Sequence, residues 1–291
     1  MLNSMNPLFL IDFYKAGHIY QYPKNTTLIY SNLTPRRNSY GVPGLNHVVV
    51  FGITYLIKEY LIKLWNQEFF YKPKSQVVEE YKSLMDRALG PDSIGVEHIE
   101  ALHDLGYLPI IIKALPEGSL SKIGNPILTI YNTHEKFFWL TNYLETLISN
   151  ILWKPITSAT TAWAFRQEFE RHSEKTGSPK DFIWWQGHDF SMRGMSGIED
   201  AIISGMGHLL SFNGTDTVPA IVAAMKYYPT SQFIGGSVPA TEHSCMSMRA
   251  DYREVYVEQR FDINGNLIDE IEVETPNLEI DKIYLNPQYK K

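Results

Sequence analysis

Residues 182–227 read FIWWQGHDFSMRGMSGIEDAIISGMGHLLSFNGTDTVPAIVAAMKY, and their rhythm decides the fold class. The apolar run 182–185 predicts a strand, the polar stretch to Gly197 a loop, and 198–210 a helix. A second loop then leads to a helix over 218–227. Strands alternating with helices predict βα units and a parallel sheet or barrel, in which reactive side chains sit in the loops after strands.

Moving toward the N-terminus, apolar residues recur at helical spacing over 137–152. Pro155 is predicted to break the pattern, which resumes over 157–174 until Thr176-Gly177-Ser178-Pro179 ends it. The first half is mixed. Strands are predicted at 27–32, 47–51, 108–115 and 127–131, and helices at 53–65 and 77–89, the second stopped by Gly90-Pro91. Beyond His243 the composition changes. Residues 245–291 carry ten acidic against six basic side chains and no histidine, and Asn264-Gly265 predicts a hairpin turn between strands at 252–261 and 267–273. The expected organisation is an N-terminal α+β domain over 1–150, part of an α/β barrel over 151–244, and a divergent acidic tail over 245–291.

Composition narrows the function. With 44% hydrophobic and 20% charged residues, the chain is an ordinary globular protein rather than a disordered or fibrous one. A net charge of −6 gives no electrostatic drive toward nucleic acid or anionic lipid. The stretch 137–153 includes Asn142, Glu145 and Asn150, which argue against a membrane span, and the N-terminus lacks a basic leader. The single cysteine, Cys245, excludes an internal disulfide, so a reducing cytoplasm is the expected location.

Three loops of the second half carry candidate chemistry. His188-Asp189-Phe190-Ser191-Met192-Arg193-Gly194 combines a ring, an aromatic face and a guanidinium fork suited to phosphate or carboxylate. Asn213-Gly214-Thr215-Asp216-Thr217 offers a carboxylate, for which helix capping is the alternative role. Gly235-Gly236-Ser237-Val238-Pro239-Ala240-Thr241-Glu242-His243-Ser244 pairs glycines that allow close backbone approach with a Glu-His couple. Near the N-terminus, Asp12-Phe13-Tyr14-Lys15-Ala16-Gly17-His18 clusters titratable and aromatic groups. There is no Walker A loop, GxGxxG, HExxH or paired CxxC.

Taken in order, DFYKAGHIYQYPKNT, YSNLTPRR, VVVFGITYLI, LPIIIKALPEG, GNPILTI, FFWLTNYLETLISNILWKPIT, HDFSMRG, NGTDTV and GSVPATEHS resemble the nicotinamide phosphoribosyltransferase family over about residues 8–244. The resemblance implies a type II phosphoribosyltransferase fold, an irregular α/β barrel beside an N-terminal α+β domain. It implies transfer of phosphoribose from phosphoribosyl pyrophosphate to nicotinamide, with Mg²⁺ and activating ATP, in a homodimer whose sites lie between subunits. Carried over by position, Phe190 and Tyr14 of the other subunit sandwich the pyridine ring, and Asp216 accepts a hydrogen bond from the carboxamide. Arg193 lies beside ring and phosphate, Lys15 and Arg36 lie near phosphates, and His243 is the histidine phosphorylated during ATP-assisted turnover. No metal ligand is assigned. Met192 stands where relatives often carry an aromatic residue.

The family's Arg-Pro-Asp-Ser-Gly segment and later Gly-rich loops do not occur in these 291 residues. The expectation is a truncated or split enzyme with little turnover alone, either the N-terminal portion of a longer enzyme or a chain acting with a separate C-terminal chain. The alternatives are a non-catalytic nicotinamide-binding or dimerisation module, and the N-terminal half of a gene interrupted by a split intein that begins at Cys245.

Overall fold

The computed structural model describes residues 5–38, 42, 44–251, 255–262 and 266–274. The chain forms two compact units, Met1–Gly236 and Ser237–Lys291. The divisions expected at residues 150 and 244 fall within helices.

In the first unit, the short helix α1 (Tyr14–Gly17) precedes β1 (Tyr30–Leu33) and β2 (His47–Val49). Helix α2 (Ile53–Tyr55) continues in wider π-type turns over Leu56–Leu64 and Asn66–Phe70, and α3 (Lys74–Leu89) and α4 (Glu97–Leu105) follow. Strands β3 (Ile110–Ala114), β4 (Leu120–Lys122) and β5 (Leu128–Asn132) then form two antiparallel sheets, ordered β1-β5-β3 and β2-β4. In β5, Leu128, Ile130 and Asn132 are buried and the residues between them half-buried, the period-two pattern of a strand with one face on the core. Trp65, Phe69, Tyr81, Leu102 and Leu140 are fully enclosed.

After α5 (Leu140–Tyr143), the helix α6 (Glu145–Thr176) runs without interruption through Pro155. The break expected at the proline does not occur. Proline removes one backbone donor and costs about 3 kcal/mol in a helix interior, but here its ring fills the space left by Gly52. A Cβ on Gly52, whose φ is +93°, would stand 2.6 Å from the proline Cγ. Leu152, Ile156 and Ala159 are buried on the same helix, and burial at about 25 cal/mol per Å² of apolar surface offsets the lost hydrogen bond.

The βα rhythm is present, with one element reassigned. Residues 182–185 form no strand: a 3₁₀ turn (Lys180–Phe182) leads into α7 (Ile183–Gln186). Of the apolar run only Ile183 is buried, beside Ala162 and Phe212, while Trp184 lies under the Arg166 guanidinium at 3.6 Å. The strand comes next, as β6 (His188–Asp189), followed by α8 (Ile198–His208), β7 (Gly214–Thr215) and α9 (Val218–Tyr227). Strands β6 and β7 pair in parallel, and Gly214 makes a further parallel bridge to Gly236, so three successive segments lie side by side.

The second unit begins with α10 (His243–Asp251) and continues into the antiparallel pair β8 (Val255–Phe261) and β9 (Leu267–Glu274). The hairpin is the one expected, while its Asn264-Gly265 turn lies outside the described residues. Among the described residues no helix is long and apolar enough to cross a membrane.

Candidate active site

A cleft of about 580 Å³ opens at β6 and the start of the loop that follows it, and Asp216 stands beside it through its contact with His188. One wall is the α6 stripe Trp153, Thr157, Thr161 and Phe165, spaced four residues apart so that all four face the same side. The other wall is β6 with His188 and Asp189 and the loop after it with Phe190 and Ser191, and Phe212 and His208 also line the space.

Each polar group in this loop region has a physical reason for its position. Asp189 is buried at the end of β6. Its Oδ1 accepts from the backbone N–H of Ser191 at 2.9 Å and from the Ser191 hydroxyl at 2.6 Å. Burial alone would raise its pKa, but the hydrogen bonds from Ser191 outweigh that and hold the carboxyl below its ordinary value. Its carbonyl accepts from the Asp216 N–H at 2.9 Å, which ties the second loop to the first. Burial chiefly lowers the pKa of His208, and its Nε2 lies 3.0 Å from the Gly214 carbonyl.

The Asp216 carboxylate sits one residue before Thr217, the N-cap of α9, which makes no side-chain capping bond. Its Oδ1 lies 2.8 Å from Nε2 of His188. The imidazole of His188 stacks on Phe190 with ring centroids 4.2 Å apart and planes 25° off parallel. Phe190 keeps 65% of its surface exposed, so the stack leaves much of the ring open. A flat face and an anchored carboxylate therefore stand together on two consecutive βα loops.

The remaining predicted residues lie elsewhere. Arg193 is exposed on the short turn Met192–Gly194 that follows Ser191. Tyr14 is exposed on α1, outside the residues lining the cleft, and its ring lies 4.9 Å from that of His18. Lys15 is buried and ion-paired with Glu145 at the start of α6. Arg36 is exposed and lines a separate cavity of about 660 Å³ with Ser31, Asn142 and Glu145. In the second unit, His243 is almost fully exposed, with its Nε2 3.0 Å from Glu242 Oε1. Glu242 also accepts from the Ser244 N–H at 2.9 Å at the start of α10, where Cys245 is exposed.

Sequence reasoning passed over two features of the cleft. The α6 stripe was legible as an i, i+4 series with an aromatic residue at each end. The bond between His188 and Asp216 spans 28 positions, and no local signal announces it.

Comparison with known proteins follows the same outline. Residues 6–89 match the family described as nicotinamide phosphoribosyltransferase, N-terminal domain, and residues 185–264 match the nicotinate phosphoribosyltransferase family. A nicotinamide phosphoribosyltransferase of Acinetobacter baylyi is 50% identical over 256 residues, covering 86% of this chain and 50% of the relative. Over the matched span the chain is similar to the nicotinamide phosphoribosyltransferase family. A relative of the same name from Xanthomonas campestris is 31% identical over 262 residues, with coverage of 86% and 50%. The chain thus spans about half the length of the curated relatives it matches. A crystal structure of human nicotinic acid phosphoribosyltransferase superposes with a TM-score of 0.52 at 17% identity, covering 82% of this chain and 40% of that one. The fold is therefore the mixed α/β type II phosphoribosyltransferase fold, as the sequence predicts.

Proposed function

We propose that this chain supplies the pyridine-recognition portion of a nicotinamide phosphoribosyltransferase of NAD salvage. In that reaction the ring nitrogen of nicotinamide forms a bond to C1 of phosphoribosyl pyrophosphate as the C1–O bond breaks and pyrophosphate departs, giving nicotinamide mononucleotide. The observation that carries the reading is the pairing of the open Phe190 face with the Asp216 carboxylate fixed by His188. A carboxylate only accepts hydrogen bonds, so it suits the carboxamide NH₂, whereas it repels the carboxylate of nicotinate.

The second face of the ring is assigned to Tyr14 of a second subunit, as the resemblance to the family implies. A homodimer in the cytoplasm is part of this reading, as is a role for Arg193, Arg36 and Lys15 near phosphates. Lys15 would have to exchange its partner Glu145 for that role. His243 is assigned to ATP-dependent phosphorylation, with Glu242 as its hydrogen-bond partner.

Magnesium travels with the pyrophosphate in this chemistry, and the donors present do not form a site for it. The oxygens of Asp189 are engaged by Ser191 and, at 3.4 Å, by Thr215. Among the described residues no group of three or more His, Cys, Asp or Glu side chains is placed to hold a metal ion.

Titration calorimetry with nicotinamide and with nicotinate tests the reading. The wild type should prefer nicotinamide, and Asp216→Asn should lose about 1–1.5 kcal/mol of that preference, at or below the low end of the range for a hydrogen bond to a charged group because Asp216 is partly exposed. Equal affinity for the two pyridines in the wild type would overturn it.

A further inference from the structure

We infer that His188 is a positioning residue that sets the choice between a pyridine carboxamide and a pyridine carboxylate, by holding the Asp216 carboxylate and the Phe190 ring as one unit. The inference rests on the proposed pyridine reading and extends it to a residue outside the carried-over site.

Three features of the structure support it. First, His188 touches both recognition groups: Nε2 reaches Asp216 at 2.8 Å, and the ring lies flat on Phe190 at 4.2 Å. These groups come from different βα loops, so a side chain that contacts both fixes the distance between the stacking face and the acceptor. Second, the bond defines the proton. An ionised carboxylate has no hydrogen to donate, so Nε2 of His188 must carry the N–H that points at Asp216. One oxygen of Asp216 is thereby occupied by a donor of this chain, which orients the carboxylate for a second donor from the ligand.

Third, the backbone is shaped around the ring. His188 and Gly214 are register partners in the parallel β6–β7 pair. A Cβ on Gly214 would come within 2.6 Å of Nδ1 of His188 and 3.2 Å of the Gly187 carbonyl oxygen. Only a residue without a side chain at 214 lets the imidazole lie across β7 and reach Asp216 two positions further on. The imidazole is half-buried, and the charged and titratable groups lining the same cleft are Lys154, Asp189 and His208. Of these, Asp189 is already bonded to Ser191 and His208 to Gly214, and Lys154 is ion-paired with Asp200 at 3.2 Å. His188 is therefore the group of the cleft whose donor is committed to the acceptor of the ligand.

Two substitutions separate its functions. His188→Phe keeps a flat ring against Phe190 and removes the donor. His188→Gln keeps an N–H donor and removes the aromatic stack. Affinities of the full chain for nicotinamide and nicotinate are measured for the wild type, both variants and Asp216→Asn, with circular dichroism confirming that each is folded.

The expected result is a nicotinamide preference reduced about tenfold in His188→Phe and largely restored in His188→Gln, with both variants binding nicotinamide less tightly than wild type. Unchanged preference in His188→Phe, with Asp216→Asn abolishing it, overturns the role of His188 and leaves the pyridine reading intact. Unchanged preference in Asp216→Asn, or no binding of either pyridine at millimolar concentration, overturns both. If His188→Phe fails to fold, His188→Gln alone decides: loss of preference in that donor-retaining variant refutes the inference.

Discussion

Replacing Gly214 by alanine tests the geometry on which the site depends. The added methyl group would stand 2.6 Å from His188 Nδ1 and 3.2 Å from a backbone oxygen of Gly187. The imidazole is stacked on Phe190 and bonded to Asp216, so it cannot move aside without giving up one of those contacts. Overpacking of this kind costs about 1–3 kcal/mol. Loss of a partly exposed charge-assisted bond adds up to about 1 kcal/mol. A net destabilisation of about 1–4 kcal/mol corresponds to a fall in Tm of roughly 2–16 °C for a unit of this size. Gly124→Ala is the control. Its φ is +96° and its surroundings are open, so the substitution costs only the left-handed backbone strain of about 1–2 kcal/mol and touches no part of the cleft. Thermal melting combined with nicotinamide titration should show Gly124→Ala destabilised with unchanged affinity, and Gly214→Ala losing both stability and affinity. A Gly214→Ala variant that melts within about 1 °C of the wild type, or that binds nicotinamide with unchanged affinity, would refute the reasoning.

The ion pair of Lys15 and Glu145 predicts an asymmetry, because the lysine side chain is 3% exposed and the glutamate 60%. Glu145→Ala leaves a buried ammonium without its partner and should cost about 3 kcal/mol, while Lys15→Met leaves a carboxylate that water reaches and should cost about 1 kcal/mol or less, as read from urea midpoints. Burial pushes the His98 pKa down to about 4, with a smaller opposing effect from Glu97. Because the folded value lies below the unfolded one, this histidine favours folding fully above about pH 6.5, and that contribution is lost as pH falls toward 4. His98→Gln should remove roughly 2–3 kcal/mol of the acid-induced loss, and denaturation curves that run parallel for the two proteins between pH 7 and pH 4 would contradict the burial of a neutral ring.

Much of the architecture was written in local patterns. The helical periodicities over 53–65, 77–89 and 218–227 correspond to helices of the structure, and the spacing of β-branched residues located β3 and β5, because amphipathic period and strand alternation are properties of a few neighbouring residues. Helix α4 went unpredicted although its sequence carried signals, with acidic residues in its first turn, Ile99 and Leu102 three positions apart, and Gly106 at its end. The ordered motifs carried the resemblance to the nicotinamide phosphoribosyltransferases and pointed to the loops at 188–194 and 213–217.

Tertiary structure decided the rest. A proline inside a helix is a break by local rules, and it became tolerable only because Gly52, about a hundred positions earlier, leaves room for its ring. An aromatic run such as 182–185 has no period long enough to tell strand from helix, so the packing of Ile183 against Ala162 and Phe212 settled it. The pairings of Lys15 with Glu145 and of His188 with Asp216 cross 130 and 28 positions. Sequence determines which groups a chain possesses and which short elements they favour, whereas the distance between two distant side chains is set by how strands register and helices pack. His188 reaches Asp216 because β6 and β7 pair in parallel with a glycine at 214, and that alignment is a property of the folded chain alone.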